Sequence, residues 1–173
     1  MRRDMYIDAD RLCEDIEANA RLGAVDASGG VGRTVLTGSE ADRQVRERFV
    51  ERLTAAGLSV LVDPVGNIVD RWTPGGCNPE AAPIAAGSHL DSVPRGGIFD
   101  GPLGVYAALE SVRAIQSADV APDRPIEVVS FTEEEGGRFG AGTLWSSVVA
   151  GQRTASGALS LTDDDDVSLE ESL

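Results

Sequence analysis

Apolar residues recur at four-residue steps in Leu12, Ile16 and Ala20, behind an Asp8 suited to cap a helix and ahead of a Gly23 suited to end one. The same spacing returns in Val45, Phe49 and Leu53, with Ser39 as the cap, Asp42 three residues on, and Gly57 closing the run. Both stretches predict amphipathic helices with an inward stripe. Leu58 to Asp63 and Ile68 to Trp72 read instead as two strands, joined through Pro64-Val-Gly-Asn67 as a hairpin, with Trp72 at the edge of the core. Thr73 to Ala82 carries Pro, Gly-Gly and Asn-Pro and reads as a loop, and Pro83 to Gly87 as an apolar strand. Val105, Leu109, Val112 and Ile115 then place a helix over Gly101 to Ser117. Ile126 to Phe131 is apolar enough to be a strand buried on both faces. A short helix follows over Thr143 to Ala150, and after Gly151 the chain turns polar, with Ser168 placed to cap one more helix.

Strand, helix and strand in succession imply an α/β fold with a mixed central sheet flanked by helices, because a crossover helix between two strands favours their parallel pairing. In such sheets ligands gather beyond the carboxyl ends of the strands. Two polar segments fall there. One runs from His89, just past the end of its predicted strand, through Asp91 to Asp100; the other is Glu133-Glu134-Glu135.

The length of 173 residues and an apolar content of 42% suit one domain with a real core. Charge adds a restriction. Asp and Glu number 29 against 15 basic residues, all of them Arg, for a net charge of −14. That field repels phosphates and argues against nucleic acid as a partner, and it fits a solvated surface adapted to a salty cytoplasm. Cys13 and Cys77 show no metal or disulfide spacing and read as free thiols. Met1 to Asp8 lacks the apolar stretch of a signal peptide and no run reaches membrane-spanning length, so a cytoplasmic chain without membrane contact is expected. The glycine-rich Ala27 to Arg33 fails both the phosphate-loop and dinucleotide patterns. The run Asp163 to Asp166 lacks the Gly and closing Glu of a calcium loop and reads as a solvated acidic turn.

His89 is the single histidine. A lone His beside an Asp is ordinarily a hydrogen-bonded pair, and three successive Glu are ordinarily a solvated turn. Taken together, after two predicted strands and beside glycine-rich turns, they point to a metal site for zinc or manganese, which bind imidazole and carboxylate. Asp91 is placed to hold the second imidazole nitrogen. Asp100 can bridge two cations, and within the triplet one Glu can bind metal while its neighbour takes a proton from water. Arg138 offers charge neutralisation, a contact to substrate, or a structural role.

Gly87-Ser-His-Leu-Asp-Ser-Val-Pro94, Gly96-Gly-Ile-Phe-Asp-Gly-Pro-Leu-Gly-Val105 and Glu133-Glu-Glu-Gly-Gly-Arg-Phe139, with Gly29-Gly-Val31 and Gly66-Asn67, resemble successive blocks of the M20 metallopeptidase superfamily. The resemblance is to its amidohydrolase branch: N-carbamoyl-L-amino acid hydrolases, allantoate amidohydrolases and β-ureidopropionases, the hydantoinase/carbamoylase family of Zn-dependent hydrolases. It implies a zinc-exopeptidase-like catalytic domain with two divalent ions, Zn or Mn. His89, Asp100 (bridging) and Glu135 would be metal ligands, Glu134 the general base, and Asp91 the residue that orients His89. It further implies hydrolysis of a carbamoyl or ureido C–N bond in a small molecule, with aminoacylase or peptidase specificity, or a non-catalytic remnant, as the other readings. Members are longer, so residues 1–173 are expected to be the N-terminal part of the catalytic domain, truncated before a lid and dimerisation domain. Two protein ligands per ion would then give weak metal binding and little turnover, and the homodimer of the full-length family would lack its usual interface. Asp70 and Trp145 stand where the branch's pattern has glycine.

Overall fold

The computed structural model describes residues 4–27 and 30–173; Met1 to Arg3 of the amino terminus and Ser28 and Gly29 of the glycine-rich stretch lie outside the described residues. Helix α1 (Ala9–Ala20) starts where Asp8 accepts a hydrogen bond from the Arg11 amide, and Ile16 and Ala20 form its buried stripe. Helix α2 (Glu40–Ala55) is capped by Ser39 in the same way and turns Val45, Phe49 and Leu53 fully inward. Between them stands a feature the apolar pattern does not announce: a small antiparallel pair, β1 (Ala24–Ala27) and β2 (Gly30–Arg33). Two of the four residues of β2 are glycines, so this pair shows no apolar run for a strand reading to register.

The main sheet follows. Strands β3 (Ser59–Val62) and β4 (Ile68–Trp72) form the expected hairpin, and β5 (Ile84–His89) leads through helix α3 (Pro102–Ser117) to β6 (Ile126–Phe131). Spatial order is β3-β4-β6-β5, with β5 parallel to β6 and the other pairs antiparallel. The sheet is mixed, as the alternation of elements requires. The end of β5 differs from expectation: His89 is its last residue, because pairing with β6 continues to His89 opposite Phe131. The loop before β5 also runs one residue longer, since Pro83 cannot donate to a ladder.

Helices α1, α2 and α3 cover one face of the sheet. Their inward residues meet Ile68, Ile126 and Val128 in the larger core, where Phe49 and Tyr106 pack edge to face at 5.4 Å. A second core is built from Val65, Phe139, Leu144, Trp145, Ala158 and Leu169, against which Phe131 packs. It recruits the short helices α4 (Leu144–Val149), α5 (Ala155–Leu159) and α6 (Leu169–Ser172). Since Phe131 and Val128 lie on opposite faces by strand alternation, β6 is covered on both sides. On the far side of β5 no strand pairs among the described residues, and Ile84 there is 54% exposed.

Candidate metal centre

Parallel pairing puts the carboxyl ends of β5 and β6 at one edge, and the chain leaves both strands with acidic residues. From β6 it passes Thr132, whose amide is held by the Asn67 side chain at 3.0 Å, into Glu133 to Glu135. From β5 it passes His89 into a loop that returns at Asp100 to start α3. Gly101 makes that return possible: it has φ of 83°, and a Cβ there would lie 2.6 Å from the His89 carbonyl and 2.7 Å from its ring. Helix α3 thus begins directly against the imidazole.

One donor atom from each of His89, Asp100 and Glu135 lies within 4.8 Å of the others. His89 Nε2 is 3.8 Å from Asp100 Oδ1 and 3.5 Å from Glu134 Oε2. His89 Nδ1 is 3.4 Å from Asp91 Oδ1 and 3.2 Å from the Asp91 carbonyl. The other oxygen of Asp91 accepts the Glu135 amide at 3.0 Å, so this buried carboxylate ties the two acidic segments together. The structure brings all five candidate residues into one cluster.

Their environments differ. His89 and Asp91 are buried, Glu134 is part-exposed, and Asp100 is open to solvent at 74% of its side chain. Burial pulls the His89 imidazole down, but Asp91 and Glu134 outweigh it and leave the group above its ordinary value. Glu135 is held above the usual carboxylate range by burial and then by Asp100. Acids crowded around one imidazole repel one another, and a divalent cation among them would relieve that repulsion while matching the donor types. The residues therefore fit such an ion, with His89, Asp100 and Glu135 as the holding set.

Glu133 has another role. It is buried at a φ of 52°, and its carboxylate accepts the amides of Phe139 (3.0 Å) and Arg138 (3.4 Å), turning the chain so that the two following acids face His89. Arg138 is a structural contact: it donates to Asp163 and to the Thr37 carbonyl and lies over the Phe139 ring. Asp163 is correspondingly more than a solvated acid, since it also accepts the amides of Asp165 and Val167, while Asp164 to Asp166 are exposed.

Sequence reasoning passes over Arg33. It is fully buried at the end of β2, and its guanidinium reaches the carbonyls of Leu90, Asp91, Gly97 and Asp100. No sequence signal marks it, since the residue of the same phase within β2, Val31, is exposed and the partners of Arg33 are main-chain carbonyls.

A mixed-sheet α/β domain with an imidazole and acids converging at the ends of its parallel strands has the form of a hydrolase catalytic domain. The chain belongs to peptidase family M28, whose family model matches residues 67–159. The matching family model is thus M28, where the sequence motifs resemble M20. Among relatives, an N-carbamoyl-L-amino acid amidohydrolase of Geobacillus stearothermophilus is 40% identical over 167 residues, covering 96% of this chain and 39% of that protein. A ureidoglycolate hydrolase of Oryza sativa subsp. japonica is 35% identical over 159 residues, 92% of this chain and 32% of that protein. The crystal structure of a hydantoinase/carbamoylase family amidase from Burkholderia ambifaria superposes with a TM-score of 0.90 at 38% identity, over 98% of this chain and 40% of that one. The chain spans about 40% of the length of the N-carbamoyl-L-amino acid amidohydrolases it matches.

Proposed function

We propose that the chain carries part of a two-metal site of the M20 amidohydrolase branch and serves in hydrolysis of the C–N bond of a carbamoyl or ureido small molecule. The observation that carries this reading is the convergence of His89, Asp100 and Glu135 within 4.8 Å, with Glu134 beside them. Relatives named for N-carbamoyl amino acids and for ureidoglycolate support the substrate class. In this reading residues 1–173 correspond to the N-terminal share of a catalytic domain, in a longer cytoplasmic enzyme that acts as a homodimer.

Bound divalent ions, Zn or Mn, would supply Lewis-acid polarisation of the scissile carbonyl and a more acidic water. The protein's own residues supply the rest. Asp91 faces Nδ1 of His89 and fixes which nitrogen is left to face the ions, a role typical of carboxylates behind ligating histidines. Asp100 presents two oxygens from the solvent side, suited to bridging. Glu134, part-exposed and not tied to backbone amides as Glu133 is, remains available to take a proton from water and pass it to the leaving nitrogen.

Equilibrium dialysis against zinc and manganese tests the site. Uptake by the wild type and its loss in His89→Ala are expected, with binding weaker than in three-ligand catalytic sites; no uptake, or uptake unchanged in the variant, would favour a non-catalytic remnant. Peptidase specificity is the second reading, favoured by the family model itself. Assay of the complete protein on an N-carbamoyl amino acid and a dipeptide separates the two, the first being the expected substrate.

A further inference from the structure

Arg33 is an interior cation without an acidic partner. It is 0% exposed, and none of the ion pairs among the described residues includes it. Burying a charge in that way is costly unless its donors are satisfied. Here they are satisfied by carbonyl oxygens: Nη1 donates to Leu90 at 2.9 Å, Nη2 to Asp91 at 3.1 Å and Asp100 at 3.3 Å, and Nε to Gly97 at 3.4 Å. The backbone of Arg33 adds to this, its amide donating to the Gly96 carbonyl at 3.0 Å and its carbonyl accepting the Ser92 hydroxyl at 3.4 Å.

All of these contacts fall on the single loop that joins His89 to Asp100. Two of them fall on residues of the site itself, Asp91 and Asp100, whose side chains belong to the cluster while their carbonyls accept from the guanidinium. A planar fork of five fixed donors suits several diverging carbonyls, whereas an ammonium has three donors around one point. Burial lowers the proton affinity of the guanidinium, and the charges of Asp91, Glu135 and Asp100 act in the opposite direction. The cation thus lies behind the loop while the acids lie in front of it.

We propose that Arg33 is a positioning residue for the metal centre, fixing the span between His89 and Asp100 through the loop's carbonyls so that the ligands are arranged before an ion arrives. The proposal rests on the metal reading above. It extends the site to the small β1–β2 pair, whose carboxyl end delivers this one side chain beneath the ligand loop.

The test compares wild type, Arg33→Lys and Arg33→Gln, with Leu53→Ala as a control that weakens the core away from the site. Zinc affinity is measured by equilibrium dialysis, coordination by the visible absorption of added cobalt(II), and folding by thermal melts. Both Arg33 variants are expected to bind zinc about 10–100-fold more weakly, the range seen when residues behind metal ligands are removed. Their cobalt spectra should change in band position or intensity, while Leu53→Ala lowers the melting temperature but keeps the wild-type spectrum. Wild-type affinity and spectrum in Arg33→Lys and Arg33→Gln would overturn the positioning role and leave the metal reading intact. Absence of zinc uptake by the wild type would overturn both. Failure of both variants to fold, unrelieved by excess zinc, would make Arg33 a general stability residue and also overturn the proposal.

Discussion

Asp70 is a carboxylic acid set among hydrocarbons. It is 0% exposed in β4, faces the larger core beside Ile68, and neither oxygen finds a hydrogen-bond partner. Burial pushes its carboxyl up to about 7, from an ordinary value of about 3.9. Below about pH 4 both the folded and unfolded chains keep the proton, and the group adds no pH dependence. Between about pH 4 and about 7 the unfolded chain releases it while the folded chain retains it, so stability falls as pH rises, by up to about 1.4 kcal/mol per pH unit. Above about 7 both are ionised and the penalty stays constant. Asp70→Asn, which keeps the shape and cannot ionise, should abolish this slope: urea melts of wild type and variant will diverge in favour of the variant from pH 5 to 7.5. Parallel curves would show that the acid is solvated. The sequence marks this position only as an acid where the M20 branch has glycine, and it takes the strand's register to show that the side chain turns inward.

At the scale of elements, the site depends on how closely α3 lies on β5. A Cβ at Gly104 would stand 2.5 Å from the Ser88 Cβ and 3.1 Å from its hydroxyl, so only glycine allows this approach. Gly104→Ala should cost about 1–3 kcal/mol through overpacking and weaken zinc uptake by shifting the start of α3, where Asp100 sits. Adding Ser88→Gly removes the obstructing atoms and leaves the Gly87 carbonyl at 3.5 Å, an ordinary contact. The double variant should recover most of both losses in denaturation and dialysis measurements; additive losses would exclude a steric cause. Helices with four-residue apolar stripes and the main-sheet strands were legible in the sequence; that His89 and the acidic segments leave neighbouring strands was legible too, whereas the choice of Glu135 within the triplet came from the family resemblance and not from the pattern. The β1–β2 pair and α5 were not legible, because Gly-Val-Gly-Arg and Ala-Ser-Gly-Ala-Leu carry no apolar run or stripe, whereas the equally short β3 shows a Val-Leu-Val run and α6 a Ser168 cap. Arg33 escaped for a different reason: its partners are carbonyls, and main-chain acceptors leave no trace in side-chain patterns.

For the molecule as a whole, the net charge of −14 with Arg as its only strong base sets the response to salt. Acids repel across the surface, and raising ionic strength from about 0.1 M to about 1 M shortens the screening distance from about 10 Å to about 3 Å. The melting temperature should therefore rise with potassium chloride over that range. A fall would mean that attractive pairs, such as the Asp15 contacts with Arg48, Arg52 and Arg113 that join the three large helices, dominate over repulsion. No helix among the described residues is long and apolar enough to cross a membrane. Strand β5, one of the two edges of the main sheet, ends in His89, so the imidazole is seated on an outer rib. Fraying of a sheet starts from such a margin, and here the first hydrogen bonds to loosen would include those that seat the histidine. A ligand held by the imidazole is therefore expected to hold down the end of that strand as well.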